Sequence, residues 1–176
     1  MRFTTLELSG VVQVDIEPRE DARGLFARSF CREEFSAHGL DPTISQCNIS
    51  FNGKRGTLRG MHFQVSPHEE VKLVRVTRGA IFDVVIDLRR DQPTFRRWIS
   101  VTLTADNRSA LYIPSGFAHG FQTLTDDVEV FYQMNEAYHP ELARGVRWND
   151  LAFGVAWPIL PPILSEQDAT RPDFIG

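Results

Sequence analysis

The chain has 176 residues, of which 42% are hydrophobic and 24% are charged, a balance that excludes a disordered or fibrous protein. In total, 19 Lys and Arg residues against 23 Asp and Glu residues give a net charge of −4, which argues against a nucleic acid partner. We expect a single domain over residues 1–176, with a core large enough to need no disulfide or metal support.

The two cysteines, Cys31 and Cys47, form neither a disulfide framework nor a C-x-x-C zinc motif. The N-terminus lacks the apolar segment of a signal peptide, and no apolar run approaches the ~20 residues of a membrane span. We therefore expect a cytoplasmic protein with reduced cysteines and no membrane partner.

Short β-branched runs separated by turn residues follow one another along most of the chain. The first part predicts strands over 11–16 and 25–30, and then a helix over 32–38 that ends at Gly39 as its C-cap. Gly, Pro, Asn and Asp residues separate eight further predicted strands. These strands cover 44–51, 56–64, 72–77, 81–87, 98–103, 110–113, 120–123 and 128–134.

Short strands at nearly regular spacing, with almost no helix, predict an all-β sandwich or barrel of the jelly-roll kind. Pro158, Pro161 and Pro162 exclude the C-terminal stretch from a central strand or the middle of a helix. We expect that stretch to wrap the barrel as ordered coil, with a short helical turn near 165–168.

The predicted strand over 56–64 carries the first candidate functional residue, His62. Strict alternation would place Arg59 on the opposite face from His62. The face that includes His62 is polar or small within an otherwise apolar strand, which suggests a barrel interior open to a ligand. His119 lies where a turn enters a later strand. A single histidine is more often structural, but both lie within two residues of a glycine that would let a ligand approach the backbone, which favours a functional pair.

A metal site at these histidines would require a recognisable set of metal ligands, such as that of the cupin signature. Pro114, Gly116 and His119 resemble the second half of that signature. The first half requires His-x-His followed by Glu, whereas this chain has His62-Phe63-Gln64. Two of the usual ligands are missing, so we expect no metal and no other cofactor.

Metal-free acid–base chemistry then involves other side chains. Lys72 lies among apolar residues at the start of a strand, where it is either an edge charge or a buried cation able to stabilise an oxyanion. Tyr132 and Tyr138 are either ordinary strand aromatics or active-site groups. Arg59 is either a surface arginine or a bidentate phosphate ligand.

Several short motifs extend in a fixed order along nearly the whole chain. They are Asp21-Ala22-Arg23-Gly24, Gln46-x-Asn48, Leu58 to Gln64, Lys72 to Arg75, Phe82-Asp83-Val84, Pro93-Thr94-Phe95, Ile113 to Phe121, Trp148-Asn149-Asp150 and Leu164 to Ala169. Together they resemble the dTDP-4-dehydrorhamnose 3,5-epimerase family, the nucleotide-sugar epimerases of the cupin superfamily.

The resemblance implies a cupin-type jelly-roll barrel, a homodimer with strand exchange, and a nucleotide-diphosphate sugar bound in each barrel. C3 and C5 of a 4-keto hexose both lie next to the ketone, so their protons can be removed if the enolate is stabilised. In this interpretation His62 is the general base, oriented by Asp168. Lys72 holds the enolate oxygen, and Tyr132 returns a proton from the opposite face of the sugar.

The resemblance also implies the residues that bind the substrate. Those assigned to the diphosphate, the sugar and the base are Arg23, Gln46, Asn48, Arg59 and His119, with Tyr138 near the reacting ring.

Three departures from the family pattern fall among nucleotide or phosphate contacts. Arg28 stands where the family usually has an acidic residue, Ala143 and then Arg144 replace another, and Gln167 replaces a common lysine. An arginine donor at 28 would suit the N3 acceptor of cytosine, which makes a CDP-sugar an alternative substrate. The other interpretation is that Arg28 reaches a phosphate or solvent.

Three functions remain open: a 4-keto-sugar epimerase acting at C3 and C5 or at C3 alone, a sugar ketoisomerase, and a non-catalytic sugar-binding cupin. The arrangement of His62, Asp168 and Tyr132 disfavours the ketoisomerase. A binding protein would not need a base, an acid and a cation together. We therefore expect an isomerase that converts dTDP-4-dehydro-6-deoxyglucose into dTDP-4-dehydrorhamnose.

Overall fold

The computed structural model describes residues 1–175, which form two antiparallel sheets, a separate hairpin and two short helices. The strands are β1 (Arg2–Thr5), β2 (Val12–Asp15), β3 (Arg19–Asp21), β4 (Gly24–Phe26), β5 (Gln46–Asn52), β6 (Leu58–Gln64), β7 (Lys72–Arg78), β8 (Ala80–Asp87), β9 (Trp98–Thr104), β10 (Ala110–Ile113), β11 (Phe117–Thr123), β12 (Val128–Met134) and β13 (Ala143–Gly145). The helices are α1 (Arg32–Ala37) and α2 (Glu166–Ala169).

The two large sheets face each other. The six-stranded sheet has the order β1-β2-β10-β7-β12-β5, and the five-stranded sheet has the order β13-β6-β11-β8-β9. Strands β3 and β4 form the separate hairpin. From β5 to β8, and again from β9 to β13, successive strands alternate between the two sheets, as in a jelly roll. The predicted all-β jelly-roll fold is confirmed.

The main core lies between the sheets, where alternation points every second side chain inward. Val74 and Val130 of the six-stranded sheet share one buried cluster with Ile81 and Val85 of the five-stranded sheet. Helix α1 covers the outer face of the six-stranded sheet with Phe35, which is 1% exposed. Each sheet is therefore buried on both faces over part of its area.

The C-terminal segment 146–175 covers the outer face of the five-stranded sheet, as the prolines predict. Phe153 and Trp157 pack there in a second buried cluster with residues of β6 and β8. Helix α2 begins after Ser165, whose hydroxyl accepts the N–H of Asp168 at 3.1 Å. The cap fixes the start of α2, so Asp168 has a defined position against the sheet.

Some element predictions were wrong. The strand predicted over 25–30 ends at Phe26, and the chain then continues to α1 without strand pairing. Strand β11 begins at Phe117, three residues before the predicted start, so His119 lies within the strand. Strands β1, β3 and β13 were not predicted, because three or four residues are too few for alternation to be distinctive. No helix within residues 1–175 is long and apolar enough to span a membrane.

Candidate active site

A cavity of about 400 Å³ lies between the two sheets. Arg59, His62 and His119 line it from the five-stranded sheet. Lys72 and Tyr132 line it from the six-stranded sheet. The fold thus brings together five side chains that the sequence analysis singled out.

A second cavity of about 360 Å³ shares His62, Lys72 and Tyr132 with the first. The two cavities therefore form one continuous cleft. The second cavity is also lined by further side chains assigned to substrate binding, namely Gln46, Asn48, Tyr138 and Arg144.

Arg59 and His62 line the same cavity, although strict alternation places them on opposite faces. His62 pairs with His119 and Arg59 pairs with Phe121, so three steps along β6 face two steps along β11. The extra residue forms a β-bulge, which interrupts the alternation of side chains and brings Arg59 to the same side of β6 as His62. The prediction that Arg59 points away from His62 is therefore wrong.

Gly60 lies in this bulge with a φ of 137°, and a Cβ there would lie 2.6 Å from Cα of Gly120. A Cβ on Gly120 would in turn lie 2.7 Å from the carbonyl oxygen of Arg59. The two glycines let β6 and β11 approach each other. The expectation that Gly60 lets a ligand approach is wrong, because the neighbouring strand occupies that space.

His62 and Asp168 form a hydrogen-bonded pair between β6 and α2, with Nε2 2.6 Å from Oδ1. The Asp168 side chain is 7% exposed, whereas that of His62 is 43% exposed and lines the cleft. Burial raises the pKa of the Asp168 carboxyl, but the hydrogen bond and charge of His62 outweigh it and leave that pKa below its usual value. The ionised carboxylate orients the ring through Nε2, which leaves Nδ1 to exchange a proton.

A second histidine–aspartate pair stands beside the first. His119 Nε2 lies 2.7 Å from Oδ1 of Asp83, whose side chain is fully buried. The ring of His119 is therefore fixed, and its other nitrogen remains for a ligand. Asp83 lies in the Phe82-Asp83-Val84 motif, but its role was not predicted, because the pairing depends on strands β8 and β11 lying side by side.

Lys72 is a buried cation and not an edge charge, since its side chain is 12% exposed. It forms an ion pair with Glu70, whose side chain is 4% exposed. The other carboxylate oxygen of Glu70 accepts the N–H of Gln64 at 2.7 Å. Glu70 was not predicted as a site residue, although its spacing of two residues from Lys72 was an available signal.

Tyr132 stands beside Lys72 on the six-stranded sheet. It pairs with Val74 of β7, two residues from Lys72, so the two side chains are diagonal neighbours on one face. Burial raises the pKa of the Tyr132 phenol, and the nearby charge of Arg59 only partly offsets it. The phenol therefore stays protonated at neutral pH and can donate a proton.

Arg171 is a cleft residue that the sequence analysis missed. It lines the second cavity with Arg144 and Gln167. Its Nε is buried and has no hydrogen-bond partner among residues 1–175. This end of the cleft therefore presents two guanidinium groups, a charge suited to an anionic ligand.

Arg23 and Arg28 do not line the cleft of their own chain. Arg23 lies on the β3–β4 hairpin, where it is paired with Asp21 and its side chain is 90% exposed. Arg28 pairs with Glu34 at 2.6 Å and lines a separate cavity near the N-terminus. One chain alone thus does not bring these two predicted substrate-binding residues to His62.

The chain resembles known proteins in both sequence and structure. A family model described as dTDP-4-dehydrorhamnose 3,5-epimerase matches residues 5–175. The dTDP-4-dehydrorhamnose 3,5-epimerase of Sinorhizobium fredii is 39% identical over 175 residues, covering 99% of this chain and 90% of that protein.

Two solved structures extend the comparison. The dTDP-4-dehydrorhamnose 3,5-epimerase from Bacillus anthracis with TDP and PPi bound has a TM-score of 0.96 and 37% identity, covering 98% of this chain and 99% of that one. ChmJ, a 3'-monoepimerase from Streptomyces bikiniensis in complex with dTDP-quinovose, has a TM-score of 0.88 and 34% identity, covering 96% and 85% of the two chains.

The fold and these matches define the class of protein as a sugar epimerase, which is an isomerase. The similarity in fold extends over almost the whole chain. The chain belongs to the dTDP-4-dehydrorhamnose 3,5-epimerase family. The resemblance found in the sequence motifs is confirmed.

Proposed function

We propose that this protein converts dTDP-4-dehydro-6-deoxyglucose into dTDP-4-dehydrorhamnose by inverting C3 and C5. One observation carries the proposal: His62 and Tyr132 come from opposite sheets and line the same cleft. Inversion at carbon requires a proton to leave one face of the sugar and another to arrive at the opposite face. A base and an acid on opposite walls meet that requirement.

His62 removes the proton from C3 or C5, each of which lies next to the C4 ketone. The C–H bond breaks, its electron pair forms a double bond to C4, and the π pair of the carbonyl moves onto the C4 oxygen. The Lys72 ammonium stabilises that oxygen, and its burial makes the interaction stronger than in water. Tyr132 then donates its phenolic proton to carbon from the opposite face, and solvent restores the protonation of both side chains.

The remaining cleft residues support binding of a nucleotide diphosphate. His119 and Arg59 lie beside His62, where the sugar would sit. Arg144 and Arg171 provide positive charge further along the cleft for the diphosphate. The same part of the cleft is also lined by the polar side chains of Gln46, Asn48 and Tyr138.

We favour dTDP as the nucleotide because the Bacillus anthracis relative has TDP bound. The CDP alternative depends on Arg28, which is already paired with Glu34. Equilibrium binding of dTDP, UDP, CDP and GDP to the purified protein tests the choice. Tighter binding of CDP than of dTDP would contradict it.

A homodimer with strand exchange belongs to the same proposal. At the β3–β4 hairpin, Leu25 is 41% exposed and Phe26 is 75% exposed. Ile49 and Phe51 on the edge strand β5 are 65% and 52% exposed and line the cleft. Docking of the hairpin of one copy against β5 of the other would cover both apolar surfaces and place Arg23 at the partner's cleft.

Mixing two inactive variants tests this dimer. Arg23→Ala would spoil the cleft of the partner, whereas His62→Ala would spoil the cleft of its own chain. After denaturation and refolding together in equal amounts, mixed dimers contain one intact cleft, so activity returns to about a quarter of the wild-type value. No recovery, together with a monomeric mass by sedimentation, would contradict strand exchange.

A single domain and a cytoplasmic location are further parts of the proposal. Both sheets contribute side chains to one cleft, which supports a single domain over residues 1–176. Cys31 and Cys47 are both free thiols, which supports a reducing compartment.

Nuclear magnetic resonance in D₂O tests the reaction itself. With dTDP-4-dehydro-6-deoxyglucose made in situ, we expect deuterium at both C3 and C5 of the sugar. His62→Ala should abolish both signals while keeping the folded spectrum of the protein. Deuterium at C3 alone would indicate a 3-epimerase, the activity named for the relative ChmJ. No deuterium at either carbon would overturn the proposal.

A further inference from the structure

A second group of ionisable side chains lies at the edge of the cleft. His68, Glu136 and His139 each offer a ligand atom, and these atoms lie within 4.8 Å of one another. We call these three residues the His68 cluster. Within residues 1–175 it is the one group of three His, Cys, Asp or Glu side chains with such spacing, and it includes neither His62 nor His119.

A single carboxylate faces both imidazoles of the His68 cluster. One oxygen of Glu136 lies 3.3 Å from Nδ1 of His68. Its other oxygen lies 4.0 Å from Nε2 of His139. The two rings are stacked, with centroids 3.9 Å apart and planes 17° apart. One nitrogen of each imidazole therefore faces the same carboxylate.

Hydrogen bonds within the chain leave the cluster incompletely satisfied. Nδ1 of His68 is buried, and its 3.3 Å contact with Glu136 lacks hydrogen-bond geometry, so this nitrogen has no hydrogen-bond partner among residues 1–175. Glu141 places a second carboxylate oxygen 3.2 Å from Nδ1 of His139. Glu141 therefore faces Nδ1 of His139, and Nε2 of the same ring faces Glu136. Two imidazoles, one of them with an unsatisfied buried nitrogen, and the Glu136 carboxylate form a donor set typical of a borderline divalent cation.

We propose that the His68 cluster binds a divalent cation of the Zn²⁺ type. Zinc takes nitrogen and oxygen ligands at about 2.0–2.2 Å, so the ligand atoms of a tetrahedral site lie roughly 3.3 Å apart. The separation between His68 and Glu136 is already 3.3 Å, and that between His139 and Glu136 is 4.0 Å. Binding would require the two stacked rings to rotate apart, so that a nitrogen of each ring faces the same ion. Water would complete the coordination.

The bound cation would link two loops that meet at the edge of the cleft. Gln64 already joins them, since its Nε2 donates to the carbonyl oxygen of His68 at 2.8 Å and its Oε1 accepts the N–H of His139 at 2.6 Å. Tyr138, which lies between two members of the cluster in sequence, lines the cleft. The cation would therefore fix the loop that carries Tyr138, separately from proton transfer at His62.

Isothermal titration of the chelator-treated full-length protein with ZnCl₂ at pH 7.5 tests the proposal. We expect one ion per chain. His68→Ala and His139→Ala should each weaken binding roughly tenfold or more, because each removes a direct ligand. His38→Ala is the matched control, since His38 is exposed and stacks on Phe3 outside the cluster. Its affinity for zinc should equal that of the wild type.

Thermal unfolding provides a second measurement. Zinc at a hundredfold excess over Kd should raise the Tm of the wild type by roughly 5–10 °C, and should leave that of His68→Ala unchanged. The Tm values without metal establish whether each variant is folded. Cys47→Ser should retain binding, which separates the cluster from the exposed thiol. Absence of saturable binding, or binding that both His68→Ala and His139→Ala retain, would overturn the proposal whatever reaction the cleft performs.

Discussion

The Lys72 ammonium is ion-paired with Glu70, and the second carboxylate oxygen of Glu70 accepts the N–H of Gln64 at 2.7 Å. The cation assigned to the enolate oxygen is therefore held in position by a buried counter-charge before a substrate binds. This ion pair therefore affects both the stability of the fold and the proposed stabilisation of the enolate. Removal of one charge leaves the other buried without compensation.

Lys72→Met should abolish epimerisation and lower the free energy of unfolding by about 3–5 kcal/mol, because it leaves the Glu70 carboxylate unpaired in the interior. The double variant Lys72→Met/Glu70→Gln should regain most of that stability and remain inactive. Urea unfolding and substrate turnover measure the two effects. If the double variant is as unstable as the single one, the ion pair is not the cause of the instability.

Tyr132→Phe should slow product formation by about 10²–10⁴-fold, because it removes the acid on one wall of the cleft. His62 can still remove a proton and return deuterium to the same face. Exchange of solvent deuterium without inversion should therefore persist, and NMR of the recovered substrate detects it.

Tyr112→Phe is the control for that variant. Tyr112 is buried outside the cleft, where its hydroxyl accepts the N–H of Asp41 at 2.9 Å. The control should keep its activity. Equal loss of exchange and inversion in Tyr132→Phe would show that Tyr132 is not the acid.

Asp168→Asn should reduce kcat with little change in KM, because Asp168 orients His62 and does not line the cleft. The native pKa of Asp168 lies below its ordinary value of 3.8, so its ionised form stabilises the folded state above that pH. That contribution is lost as the pH falls from 3.8 through the lower native pKa. The stability difference between wild type and Asp168→Asn should therefore shrink as the pH falls below 3.8.

Urea unfolding at pH 7, 5 and 3 measures this difference. A gap that is the same at all three pH values would mean that the charge of Asp168 contributes nothing to the stability of the fold.

Gly60→Ala should destabilise the protein by more than the ~1–3 kcal/mol that an unfavourable backbone conformation costs, because its Cβ would also lie 2.6 Å from Cα of Gly120. Gly39→Ala is the matched control. Gly39 also has a positive φ, 71°, but a Cβ added there would have no atom within 4 Å. Thermal unfolding of both variants separates backbone strain from close strand approach, and equal losses would refute the second effect.

The sequence predicted the jelly-roll fold and most of its longer strands, because those strands are long enough for alternation and β-branched residues to be distinctive. It also predicted that His62, Lys72, Tyr132 and His119 act together. It misplaced Arg59, because the bulge arises from the pairing of β6 with β11 and leaves no local signal.

Three arginines differ from their predicted positions or roles because their contacts also depend on segments distant in sequence. Arg171 reaches the cleft only when the C-terminal segment packs on the five-stranded sheet, so its neighbours in sequence do not indicate its role. Arg23 and Arg28 lie away from the cleft of their own chain, and in our proposal a second copy brings Arg23 to it. Contacts of this kind depend on tertiary or quaternary structure and are not encoded in local spacing.

The pairing of His62 with Asp168 spans 106 positions of the chain. All eleven strands of the two sheets precede α2 in sequence, so the sheets can close before the carboxylate is in place. During synthesis on the ribosome, the base would therefore gain its partner last. A newly made barrel would hold its sugar-binding groove while still lacking an oriented base, and catalytic competence would follow only when the segment that carries α2 has been made and has packed on the sheet.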